Sequence, residues 1–385
     1  MSDVLARQRG FTLLESQEAF DVFVRQLVSA PILGVDTEAA SFHRFRDRIY
    51  LIQLSTRNLT AVVDPLAVPD LAALGRLLAD PRIETLFHDA DYDLRILNRD
   101  YGFTAANLFD TRIAAQLLNE PGIGLAALLE KYLGVALDKK YQRADWSARP
   151  LQQGMLDYAA DDTRYLPSLR DIIRDKLVAA GRWHWAEEEF RLLESVRWTL
   201  AGPPGEAYLR LKGARILKGH QLAALRELFA WRERVASQLD RAPFRVLMNE
   251  ALLAIAKSLP TDETMLRELK VLSADQLRRR GAELLEAVAR GLQAPAESIP
   301  VFERTRRPPP DLKYETRLER LKVARNAAAE RIQLAPGVLC ANGLLEAIAR
   351  LEPTSLDQLA EIEGMRNWQR EVIGHDLLIA VKGGP

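Results

Sequence analysis

Ile32-Leu33-Gly34-Val35-Asp36-Thr37-Glu38 begins with four apolar residues and closes on two acids two positions apart. A short apolar run of this kind reads as a buried strand. Side chains two apart on a strand share a face, so this strand ends by presenting the Asp36 and Glu38 carboxylates side by side. Neighbouring like charges are costly unless a cation neutralises them. An all-oxygen donor set suits Mg²⁺ or Mn²⁺ rather than zinc. A polar strand end turned to water would give the same pattern, so the rest of the chain has to decide.

Outward from this strand, the runs at 49–55 and 59–63 are joined by Thr56-Arg57-Asn58 and predict a hairpin. Residues 83–87 predict a further strand. Helical spacing appears over 70–79, 94–97, 110–118, 125–133 and 152–180, with Asp110-Thr111 as an N-cap. Antiparallel strands followed by strand–helix units predict an α/β fold, a mixed sheet with flanking helices.

Beyond about residue 200 the pattern is all helix. Ala201-Gly202-Pro203-Pro204-Gly205 is a breaker, and Arg306-Arg307-Pro308-Pro309-Pro310 a stiff extended linker. The two helical stretches repeat with an offset of 93 residues: Leu225 meets Leu318, Ala242-Pro243 meets Ala335-Pro336, and Asn249 meets Asn342. Ala254-Ile255-Ala256 likewise meets Ala347-Ile348-Ala349, and Gly281 meets Gly374. Matched apolar, Pro and Gly positions mean one core and one set of turns used twice. The expected units are therefore 1–200, 208–292 and 311–385, the last two being small all-α bundles.

The chain has 385 residues, of which 48% are hydrophobic, enough for two to four domains at roughly 100–200 residues each. Its single cysteine, Cys340, excludes an intramolecular disulfide; it lies in an apolar stretch and reads as core. Residues 1–10 lack the apolar centre of a secretory signal. No apolar run approaches the ~18 residues of a membrane span. The expectation is a soluble cytoplasmic protein. Net charge is zero, but residues 1–209 hold 24 Lys and Arg against 30 Asp and Glu, and residues 210–290 hold 16 against 10. The acidic unit is suited to cations and the basic one to a polyanion; solvated helix faces would account for the charges as well.

Two further acidic stretches stand out. Phe87-His88-Asp89-Ala90-Asp91-Tyr92-Asp93-Leu94 leaves a strand and enters a helix, and spacing alone does not choose among its three aspartates. Tyr158-Ala159-Ala160-Asp161-Asp162 places Tyr158 and Asp162 one helical turn apart on one face. There the phenol can orient a water while the carboxylate holds a metal. Taken singly, this is also what a surface Tyr–Asp pair looks like.

Asp-x-Glu, then Asp, then Tyr-x-x-x-Asp resembles, in order and spacing, the DEDDy 3′→5′ exonuclease superfamily. The stretches 49–55, 63–65, 109–111, 143–146, 149–151 and 158–166 resemble the ribonuclease D family, and the two repeats resemble HRDC domains. The resemblance covers essentially the whole chain. It implies a ribonuclease H-like mixed sheet followed by two helical bundles, and a metal-dependent exoribonuclease releasing nucleoside 5′-monophosphates from a free 3′ end, with tRNA precursors as substrates. It also implies that Asp36, Glu38 and Asp162 hold one divalent ion (Mg²⁺ or Mn²⁺), that Asp36 and Asp93 hold a second, and that Tyr158 positions the attacking water. Asp93 is singled out from Asp89 and Asp91, and Asp162 from Asp161, by this resemblance.

Phe42, His43, Arg44, Phe45, Arg46 and Arg48 mix aromatic surface with positive charge, as single-strand binders do. Phe42 and Arg44 are the candidates there for RNA contact, and Arg278, Arg279 and Arg280 in the first repeat. An all-carboxylate site needs neither His43 nor His88. No membrane and no obligate protein partner is indicated. Two other readings use the same residues: a non-catalytic nucleic-acid tether, and a DNA-directed 3′→5′ exonuclease. No residue identified from sequence reads a 2′-hydroxyl.

Overall fold

The run at 32–38 is a strand, β2 (Ile32–Ala39), that carries both acids and ends in a register shift between Glu38 and Ala39. The structure, a computed structural model, describes residues 10–199, 202, 205–302 and 311–383. The expected lack of a leader at 1–9, the breaker apart from Gly202 and Gly205, and the linker at 304–310 lie outside the described residues. β2 sits between the antiparallel β3 (Ile49–Ser55) and the parallel β5 (Glu84–Phe87). The other strands are β1 (Thr12–Leu14), β4 (Thr60–Val63) and β6 (Leu108–Asp110), giving the order β1-β4-β3-β2-β5-β6. This is the expected ribonuclease H-like mixed sheet. Every residue of β3 is buried, because helices cover both faces.

Eight helices accompany the strands among the described residues: α1 (Gln17–Leu27), α2 (Ala72–Leu78), α3 (Asp91–Tyr101), α4 (Thr111–Leu117), α5 (Leu125–Leu133), α6 (Gln153–Arg164), α7 (Leu166–Ala179) and α8 (Trp183–Leu193). The periodic stretch at 152–180 is thus two helices. The chain breaks at Tyr165 because Pro167, in the first turn of α7, has no N–H to continue the ladder. Asp110 caps α4 through the backbone N–H groups of Arg112 and Ile113, as expected.

Gly34 shares the β2 face of Asp36 and Glu38. A Cβ there would lie 3.2 Å from the Thr163 carbonyl oxygen and 3.4 Å from that of Ser55. The missing side chain therefore lets the end of α6 settle directly on β2. Ser55 and Thr163 hydroxyls, 2.7 Å apart, fasten it there. Asp162, the residue before Thr163, is carried to the sheet by the same contact.

The repeat is realised helix for helix. α9 (His220–Leu239), α10 (Pro243–Val246), α11 (Asn249–Ser258), α12 (Glu263–Glu268) and α13 (Ala274–Leu292) match α14 (Leu312–Arg331), α15 (Pro336–Leu339), α16 (Asn342–Leu351), α17 (Leu356–Ala360) and α18 (Asn367–Lys382). Each copy buries an arginine at the matched position. Arg232 donates to Asn249 Oδ1 at 2.6 Å and the Leu247 carbonyl at 3.3 Å. Arg325 does the same to Asn342 at 2.7 Å and Cys340 at 3.1 Å. Cys340 is core, with burial pushing its thiol up to about 12.

The copies attach differently. The first has its own core around Leu225, Trp231, Ile255 and Leu284. It meets the sheet unit at the loop after β2: Arg245 Nε donates to the Phe42 carbonyl at 2.5 Å, and the Ala242 N–H to that of His43 at 3.2 Å. The core of the second copy is continuous with that of the sheet unit. Trp368 stacks on Trp185 with ring centroids 4.8 Å apart. Glu188 accepts from the Asn367 and Trp368 backbone N–H groups, at 2.7 and 3.0 Å, while Glu189 accepts from the Trp368 indole at 2.9 Å. No helix among the described residues is long and apolar enough to cross a membrane.

Gly34→Val tests the α6 contact. Overpacking a backbone carbonyl should destabilise the protein by about 1–3 kcal/mol and displace Asp162. Nuclease activity should fall further than the melting temperature accounts for. Activity intact beside a lowered melting temperature would show that Asp162 does not depend on this approach.

Candidate active site

β2 and α6 bring their acids together. One carboxylate oxygen from each of Asp36, Glu38 and Asp162 lies within 4.8 Å of the others. Asp93 enters from α3, buried, accepting a hydrogen bond from the Thr37 hydroxyl. All four line one cleft of about 690 Å³, together with Phe42, His88, Tyr158 and the start of α5.

The neighbouring acids are employed elsewhere. Asp89 pairs with Arg112, and Asp91 with Arg95 at 2.7 Å, one turn along α3. Asp161 pairs with Arg164 at 2.5 Å. Among the described residues no Lys or Arg pairs with Asp36, Glu38, Asp93 or Asp162 within 4 Å. The ambiguity that spacing left open thus has a physical counterpart: the acids beside the cleft have cations, and the four inside it have none.

The electrostatics follow. Burial, only partly offset by a hydrogen bond from the Thr37 backbone N–H, holds the Asp36 carboxyl up at about 6. Glu38 is raised by burial and then by the charges of Asp36, Asp162 and Asp93. Asp93 is raised by burial and by Asp36, and Asp162 by burial, Asp36 and Asp161. Four oxygen donors, each destabilised as anions, fit a divalent cation, which would remove the cost that raises them.

Tyr158 packs against Tyr141 and Trp146, with ring centroids 6.1 and 6.0 Å away, and its hydroxyl donates to Asp162. Burial, then the charges of Asp162, Glu38 and Asp36, push its proton affinity far up. In this setting the phenol is a donor and orienting group.

Asp110 does more than cap α4. It also accepts from the backbone N–H groups of Asp89 and Ala90, at 3.2 and 2.7 Å, and so fixes the turn into α3 from which Asp93 projects. Asp89 has φ 72°, a left-handed conformation held by this grip.

The candidate RNA contacts are divided. Phe42 lines the cleft, under the Arg143 guanidinium 5.5 Å from its ring. Arg44 lies instead at the joint with the first repeat, bonded to Ser147 at 2.5 Å and paired with Asp145 at 3.8 Å and Asp240 at 3.4 Å. Arg278 and Arg279 both pair with Asp275, and Arg280 with Glu283, on the exposed face of α13. Sequence reasoning did not find Lys139 or Gln142, which line the cleft from a loop without periodicity. His88 lines it too, although an all-carboxylate site does not need it.

A family model described as 3′-5′ exonuclease matches residues 11–178, and one described as HRDC domain matches 221–288 and 315–381. The sheet and its acids thus define a 3′→5′ exonuclease. The chain is 32% identical over 381 residues to ribonuclease D of Granulibacter bethesdensis, covering 97% of this chain and 93% of that one. It is 35% identical over 295 residues to ribonuclease D of a Shewanella species, covering 76% of each. The crystal structure of Escherichia coli RNase D superposes with a TM-score of 0.72 at 26% identity, covering 98% of this chain and all of that one. The chain belongs to the ribonuclease D family and is a 3′→5′ exoribonuclease.

The raised carboxylates predict a pH dependence. A group whose folded pKa exceeds its unfolded value stabilises the fold at low pH and loses that contribution as pH rises through the folded pKa. For Asp36 the window runs from about 4 to about 6. In EDTA, the melting temperature of the wild type relative to Asp36→Asn should fall across this window. Mg²⁺ should raise it more at pH 7.5 than at pH 5, because bound protons compete with the cation. A Mg²⁺ effect independent of pH would separate these carboxylates from cation binding.

Proposed function

We propose that this chain trims the 3′ ends of structured RNA, tRNA precursors in particular, in the cytoplasm, using two divalent ions, Mg²⁺ or Mn²⁺. The observation that carries the reading is the unpaired carboxylate cluster of Asp36, Glu38 and Asp162 beside Asp93. Its divisions are the three units 1–200, 208–292 and 311–385.

Asp36, Glu38 and Asp162 hold the first ion, and Asp36 and Asp93 the second. When bound, the ions supply a nucleophile at neutral pH and offset the charge that builds on the scissile phosphate. Tyr158 orients the attacking water with its hydroxyl, and Phe42 offers an aromatic face to a base. Thr37 and Asp110 hold Asp93 and its turn in place. The cleft takes a terminal nucleotide, and the products are nucleoside 5′-monophosphates.

The test is hydrolysis of 5′-labelled RNA with a 3′-hydroxyl beside a circular RNA of the same sequence. Linear RNA should shorten one nucleotide at a time, with circular RNA inert and EDTA silencing the reaction. Asp36→Ala, Glu38→Ala, Asp93→Ala and Asp162→Ala should each fall to background, and Tyr158→Phe should slow by on the order of 10²-fold while still binding RNA. Asp89→Ala and Asp91→Ala should keep most activity. Near-normal turnover in Asp93→Ala, or cleavage of the circle, would sink the assignment.

The first repeat supplies the electrostatic hold on RNA. The α13 arginines are available for it, since exposed ion pairs are worth only about 0–1 kcal/mol and exchange readily for phosphate. Replacing Arg278, Arg279 and Arg280 with Ala should raise KM for a tRNA-like substrate, leave kcat on short oligomers unchanged, and flatten the salt dependence. Binding across a salt series reads this directly; a slope equal to that of the wild type would mean that these charges only solvate the helix. Substitution is the clean test, because deleting residues 311–385 would strip the sheet unit of a shared core.

A further inference from the structure

His88 lines the cleft and is left without a task by the proposed reaction. It follows β5 and lines the cavity that holds the four carboxylates and Tyr158. Its tautomer can be worked out from its neighbours. The Thr111 hydroxyl donates to the Phe87 carbonyl at 3.1 Å. A hydroxyl has a single proton, so towards His88 Nδ1, 2.9 Å away, Thr111 acts as acceptor. Nδ1 therefore carries the hydrogen, and Nε2 is a lone-pair acceptor. Burial, with the nearby charge of Arg112, pulls the ring down to about 4 and keeps it neutral. Among the described residues Nε2 has no hydrogen-bond partner.

The other polar groups around the cleft are spoken for or loose. Tyr158 donates to Asp162, Thr37 to Asp93, and Tyr92 to Asp47. Asp89 is paired with Arg112. Ser41 and Gln142 are exposed and free to turn to water. His88 is different: a ring fixed in orientation by Thr111, with one unfilled acceptor. Half-buried and open to the cleft, Nε2 can accept from a hydroxyl donor; a ligand that covers it and offers only C–H leaves the acceptor unpaired.

We propose that His88 Nε2 accepts a hydrogen bond from the 2′-hydroxyl of the 3′-terminal ribose, and that this contact sets the preference for RNA over DNA. The proposal rests on the exonuclease reading of the cleft and names the sugar-reading residue within it. The contact is made to the substrate at ground and transition state alike, so it acts on kcat/KM rather than on chemistry alone.

The experiment compares an all-RNA oligomer with the same oligomer ending in a single 2′-deoxynucleotide, in Mg²⁺. Wild type should lose about tenfold to a hundredfold in kcat/KM on the deoxy-terminated substrate. His88→Leu should lose a similar factor on all-RNA and nothing further on the deoxy-terminated one. Equal losses on both substrates, or a wild type that does not distinguish them, would overturn the proposal while leaving the exonuclease reading intact. A wild type inactive on both would remove that reading and this one with it. A readout independent of the variant's folding is the histidine ¹⁵N spectrum of the wild type. The His88 Nε2 resonance should move on adding 5′-AMP and stay in place with 5′-dAMP; the same shift with both would count against the 2′-hydroxyl.

Discussion

Asp36, Glu38, Asp93 and Asp162 place like charge in one cleft, and among the described residues no Lys or Arg pairs with any of them. Most of the architecture around them can be understood as what it takes to hold that arrangement. β2 is central in the sheet, paired on both sides, and so cannot relax to separate its two acids. Gly34 removes the side chain that would keep α6 off the sheet, and the Ser55–Thr163 contact closes the gap. Asp110 accepts two backbone hydrogen bonds from the turn ahead of Asp93 and two more from the first turn of α4, tying the one to the other. A protein that gathers acids at such cost is organised around something positive that arrives from outside.

Much of this was legible in the sequence because it depends on short-range periodicity. The apolar run ending at Val35, the hairpin at 49–63 and the one-turn spacing of Tyr158 and Asp162 each fix a local geometry. What spacing could not do was choose among Asp89, Asp91 and Asp93, since all three sit at the start of one helix. What distinguishes them in the structure is partners far along the chain or one turn away, Arg112 and Arg95, which engage the first two. β1 and β6 were missed because three residues cannot display a period of two. α1 and α8 were passed over as well, although α1 has Ser16 as an N-cap. His88 was out of reach for a different reason: its role depends on which ring nitrogen carries the proton, and that is decided by Thr111.

The repeat shows how far matched positions constrain structure and where they stop. The offset of 93 residues carries over helix boundaries, the αL residues Leu259 and Glu352, and the buried Arg–Asn pairs. It does not carry over surroundings. Trp231 fills the first bundle and donates to Glu283 at 2.7 Å; the matched residues are Ala324 and Asp376, which line an open apolar groove of about 630 Å³. Trp368, which docks the second bundle onto the sheet unit, stands opposite Asp275, a surface partner of arginines. One backbone plan has been given two attachments, one through loop backbone near the cleft and one through a shared aromatic core on α8.

That shared core has a consequence in time. Trp185 lies on α8, close to the end of the sheet unit, while Trp368 lies on α18, far along the chain. Synthesis at about 5–20 residues per second leaves on the order of ten seconds or more between the appearance of the two. During this interval the nascent exonuclease unit has all four cleft carboxylates but bears an uncovered tryptophan and two glutamates without their partners. Its surface is finished only when α18 leaves the ribosome, so the sheet unit is completed well after its own residues have been made.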